Sequence, residues 1–99
     1  MTEDYTCIVV DDSTTWGISE ICTLCRVKNE LVREMVNEGL VIPEGSSPET
    51  WRFNGLAVKR IQVTMRLQSD LRVNLPGAAL VLDLLEELEE LRALLGQFR

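Results

Sequence analysis

Cys22-Thr23-Leu24-Cys25 is the arrangement in this chain whose residue types and spacing match a chemical device, since C-x-x-C serves as a redox pair or as half of a zinc site. Its context opposes both uses. Zinc takes four ligands and Cys7 is the only further cysteine, while a redox pair belongs after a strand in a βαβ unit that this sequence lacks. The two thiols fall on the apolar side of a short helix and read as small core hydrophobes. There is no histidine, so the commonest general base and metal ligand is missing. No serine sits in a nucleophile elbow, and no glycine-rich phosphate loop is present. The sequence therefore predicts no enzyme, no cofactor and no metal.

Charge is the second resource. Ten basic residues stand against 16 acidic ones, a net charge of −6, which repels a phosphate backbone and disfavours nucleic acid as a partner. Two sets of acids stand out as sites for a basic protein. One is Glu30, Glu34 and Glu38; the other is Asp83, Glu86, Glu87 and Glu90. The plainer reading of the second set, with Glu89 included, is the solvated face of a helix, and both readings stay open here.

These residues need elements to hold them. Tyr5 to Val10 is β-branched and aromatic and predicts a short N-terminal strand, followed by a loop to residue 17. From Ile18 the spacing of Ile21, Cys22 and Cys25 becomes helical, with Ser19 placed to cap. After a break at Arg26-Val27-Lys28, Asn29 can cap a second helix with Leu31, Val32, Met35 and Val36 as its apolar stripe. Gly39 supplies the left-handed residue that ends it. Two short helices joined by so short a break make a helix-turn-helix.

Leu40 to Ile42 is extended, residues 43–49 are rich in Pro, Gly and Ser, and Thr50 to Phe53 is extended again, which predicts a β-hairpin wing. Asn54 caps a third helix with Ala57, Val58, Ile61, Met65 and Leu71 inward and Lys59, Arg60 and Arg66 largely outward. Leu75-Pro76 opens a last helix in which Val81, Leu84, Leu88, Leu91 and Leu95 alternate spacings of three and four. That seam could simply cover the domain's own core; because Leu82, Leu85 and Leu94 widen it beyond a strict a/d line, the helix is expected to pack on its own domain and on a second chain at once, which favours a homodimer. The fold class is thus mainly α, with a short N-terminal strand, a β-hairpin wing and a long C-terminal leucine-rich helix.

At 99 residues and 45% apolar content the chain reads as one domain, divided into residues 1–17, 18–53 and 54–99. The start does not look like a secretory leader and no apolar run is long enough to span a bilayer, so a soluble cytoplasmic protein with reduced thiols is expected.

The stretch from Ile18 to Pro43, the wing ending in Trp51-Arg52-Phe53, Met65-Arg66-Leu67 and the Leu75-Pro76-Gly77-Ala78 helix start together resemble the winged helix-turn-helix of MerR-type regulators. With the acidic leucine-rich tail, the chain is more specifically similar to the CbpM family of chaperone modulators. That resemblance implies binding to the J-domain of CbpA, a DnaJ-like co-chaperone, and inhibition of its stimulation of the Hsp70 chaperone DnaK. Charge agrees in sign, because J-domains present a basic helix to their Hsp70. The alternative is a MerR-type DNA-binding regulator, resting on fold alone. Three glutamates against one arginine on the second helix face phosphates with the wrong sign. A thiol-redox role ranks last.

Overall fold

The computed structural model describes residues 14–97. They form four helices, α1 (Ile18–Cys25), α2 (Asn29–Asn37), α3 (Gly55–Leu71) and α4 (Leu75–Gly96), with a 3-10 turn at Pro48–Thr50.

Helix α1 starts after Gly17, whose N–H donates to the Glu20 carboxylate at 2.8 Å. Ser19 does not cap it; its carbonyl accepts from the Thr23 hydroxyl one turn on. The chain leaves α1 through Arg26 in the left-handed region, φ 56°, a conformation that costs a residue with a Cβ about 1 kcal/mol. Helix α2 begins at Asn29 with Lys28 as its cap residue, so Asn29 is inside the helix and its Oδ1 accepts from Arg33 Nε at 2.7 Å. Its far end is as expected. Gly39 lies at φ 79°, Gly39 N–H reaches Val36 O, and Leu40 N–H reaches Met35 O, the paired bonds of a Schellman ending.

The expected β-hairpin wing is corrected: the described residues contain no strand. Glu44 and Arg52 exchange two backbone hydrogen bonds at 3.0 and 2.8 Å, and Trp16 and Phe53 exchange two more, but each bridge stands alone. The ladder cannot lengthen. On one side of Glu44–Arg52 the Thr50 N–H is already spent on Ser47 O inside the 3-10 turn; on the other, the Asn54 carbonyl already accepts from Val58 N–H as α3 begins. Gly45 is fixed at φ 117° with the Thr50 carbonyl 2.6 Å from where a Cβ would stand, so the loop closes tightly over a glycine. The expected N-terminal strand at residues 5–10 lies outside the described residues.

Both long helices start where an asparagine caps them. Asn54 Oδ1 accepts from Ala57 N–H at 2.9 Å, and Asn74 Oδ1 from Gly77 N–H at 2.8 Å. Helix α3 packs against α1 and α4, and α1 against α2. The shared core holds Ile21, Val32, Met35, Leu40, Phe53, Val58 and Ile61, all fully buried, with the Trp51 and Phe53 rings in edge contact 6.0 Å apart. On α3 the expected inner face holds at Ala57, Val58 and Ile61. Beyond that, Thr64 is buried with its hydroxyl bonded to Arg60 O, Met65 is only partly buried, and Leu71 is 66% exposed.

Candidate protein-binding surface

Helix α4 meets the core only through its first two turns. Ala78 and Leu82 are buried and Val81 is half-buried, but every residue from Asp83 to Gln97 is exposed. Beyond Glu86, which pairs with Arg60 of α3, about 15 Å of helix at 1.5 Å per residue stands off the domain. Of the expected seam, Leu84, Leu88, Leu91 and Leu95 are 45% to 65% exposed, so the described residues leave most of it uncovered. Leu85 and Leu94 are also exposed. A helix with 3.6 residues per turn carries Leu84, Leu88, Leu91 and Leu95 on one side and Asp83, Glu86 and Glu90 largely on the other, with Leu85 and Leu94 flanking the seam.

All seven expected acidic residues are exposed, and they do not form one patch. Glu30, Glu34 and Glu38 follow one another along α2. Asp83 and Glu86 instead line a cleft of about 310 Å³ between α4, the start of α3 and the segment Gly39–Ile42 that leaves α2. Glu87 and Glu90 continue along α4 beyond it. At the cleft Arg60 reverses its expectation: rather than facing outward it is 14% exposed, donates to the Leu40 carbonyl and pairs with Glu86. An arginine on a helix face reads as solvated until a carbonyl twenty residues away is known to need a donor. Ile42 and Leu56 also line the cleft, and the sequence reading placed neither in a site. No sequence signal marked Ile42, because Leu40 and Val41 are both buried and period-two alternation would have put Ile42 on the side of Leu40.

The thiols behave as packing groups. Cys22 and Cys25 are partly buried on α1. Burial raises the Cys22 pKa, and burial followed by the neighbouring Cys22 pushes Cys25 up to about 11, away from the thiolate that redox or metal chemistry needs. Cys7 lies outside the described residues. Among the described residues no group of three His, Cys, Asp or Glu could hold a metal ion, and no helix is long and apolar enough to cross a membrane.

Comparison with known proteins bears on this surface. Residues 16–99 match the family model described as MerR HTH family regulatory protein. Among curated relatives, the chaperone modulatory protein CbpM of Coxiella burnetii is 37% identical over 85% of this chain and 79% of its own length. The protein of that name from Pseudomonas entomophila is 38% identical over 72% of this chain and 73% of its own. The one from Citrobacter koseri is 33% identical over 85% and 83%.

Proposed function

This chain belongs to the MerR HTH family of regulatory proteins and, within it, to the CbpM chaperone modulators, and from that premise we propose that it modulates a chaperone by binding the J-domain of a CbpA-like co-chaperone. Binding there blocks the co-chaperone's stimulation of the Hsp70 DnaK. The observation that carries this reading is the sign of the exposed helix surfaces. On α2, the second helix of the pair that a DNA reader would lay in a groove, Glu30, Glu34 and Glu38 are exposed beside a single arginine. Helix α4 adds Asp83, Glu86, Glu87 and Glu90, all exposed. Such a surface repels phosphate and attracts a basic polypeptide.

The exposed leucines of α4 support a homodimer. Val81, Leu84, Leu88, Leu91 and Leu95 form the seam, and a second copy covers it about a two-fold axis. The direct functional test is the ATPase rate of DnaK stimulated by the J-protein. Adding this protein should return the rate towards its basal value, and a stimulated rate that stays unchanged at saturating protein would end the reading.

A MerR-type DNA-binding regulator is the second reading. It is favoured by the family model and by the exposed Arg26, Lys28 and Arg33 at the α1–α2 turn and on α2. A mobility-shift assay on genomic fragments separates the two, since sequence-selective retention at physiological salt would reverse their order.

A further inference from the structure

Leu40 and Val41 point into the core, which leaves Ile42 86% exposed, more than any other large hydrophobic side chain among the described residues. Leu56, on the first turn of α3, is 59% exposed and lines the same cleft. Neither belongs to the leucine seam, and among the described residues both stay exposed. The wall formed by α4 carries Asp83 and Glu86.

We propose that this cleft is the docking site for a basic helix of the partner, with an apolar side chain of that helix seated against Ile42 and Leu56 and a lysine or arginine beside it paired with Asp83. The proposal rests on the protein-binding reading above and gives it a location. Volume fits this occupant, because about 310 Å³ in an open cleft accommodates one or two side chains. Charge fits as well. Arg60, the cation of the cleft, is already held by the Leu40 carbonyl and Glu86, whereas Asp83 has no ion-pair partner among the described residues. A second copy is the poorer occupant: Asp83 and Glu86 lie on the side of α4 away from the leucines, so a dimer built on the seam leaves the cleft open.

The test measures binding of a purified J-domain of a DnaJ-like co-chaperone by calorimetry to the full chain and to Ile42→Asp, Leu56→Asp, Asp83→Lys and Leu71→Asp. A carboxylate pressed against the partner's apolar side chain must be desolvated, so Ile42→Asp and Leu56→Asp should each raise Kd at least about tenfold. Asp83→Lys should weaken binding and flatten its salt dependence. Leu71→Asp, at the far end of α3, should bind as the parent does. Circular dichroism checks that helix content is kept, and Asp83→Lys, a helix-surface change, keeps the test decisive should an apolar-to-acid variant lose helix. Binding within about twofold of the parent for Ile42→Asp and Leu56→Asp, or for Asp83→Lys in their place, overturns the proposal. So does a changed sedimentation mass for Ile42→Asp, which would assign the cleft to a second copy. No binding by the parent chain at low salt removes the J-domain reading itself, and this location with it.

Discussion

If the proposed seam holds two copies of this chain together, replacing Leu88 by glutamate should separate them. Leu88 keeps 45% of its surface exposed in the single chain, and covering that remainder is worth about 1 kcal/mol, roughly half the value of burying a whole leucine. Two-fold symmetry enters every seam substitution twice, so the packing loss is about 2 kcal/mol. Each new carboxylate facing an apolar partner adds about 1–3 kcal/mol of desolvation. The sum, about 4–8 kcal/mol, raises the dimer dissociation constant by at least about a thousandfold. Sedimentation velocity at tens of micromolar reads this directly: the parent should sediment at twice the 11.2 kDa chain mass and the variant at the chain mass. Glu90→Lys, on the side of α4 away from the leucines, should keep the dimer. A parent that sediments as a single chain, or a Leu88→Glu variant with the parent's mass, refutes the reasoning.

Other consequences are smaller. Arg60→Ala strips the Leu40 carbonyl and Glu86 of their shared donor and should cost about 1–3 kcal/mol, seen as a lower urea midpoint with an unchanged slope; a midpoint equal to the parent's would show the contact to be idle. Arg72 ends α3 in the left-handed region at φ 55°, so Arg72→Gly should raise stability by about 0.5–1 kcal/mol in the same assay, and a fall would contradict that account of the turn. The Cys25 thiol, held protonated up to about pH 11, should alkylate at pH 8 more slowly than a free cysteine. Because its folded pKa lies above the ordinary value of 9.0, the stability it contributes is complete below pH 9 and is lost as pH rises towards 11. Cys25→Ala should flatten that decline, and an equally steep decline in the variant would place its cause elsewhere.

Legibility in the sequence followed how local the determining interaction was. Asn54 and Gly39 act within four residues of themselves, so the start of α3 and the end of α2 could be read from residue types alone. Ser19 and Asn29 carry the same capping chemistry yet lie inside their helices, because a cap is chosen by where the chain turns and not by side chain alone. The wing failed for a non-local reason. Its extended residues are real, but the 3-10 turn engages Thr50 N–H and the start of α3 engages the Asn54 carbonyl, groups that a second rung would use. Leu71 matched the spacing of the α3 core and lies exposed, since periodicity cannot tell how far the core extends along a helix. Of the surface, the acids and leucines were visible as types and spacings, and the cleft was not. It depends on Arg60 reaching back to Leu40 and on Ile42, Leu56 and Asp83 meeting from three separate segments.

The central claim is that a scaffold related to DNA readers has turned to a basic polypeptide. Its most direct measurement is a titration of purified J-domain into this chain at two ionic strengths, repeated with duplex DNA in excess. Saturable binding that weakens as salt rises and is indifferent to the DNA is the expected result. Binding to the duplex with none to the J-domain, at low salt where attraction between opposite charges is strongest, would contradict it.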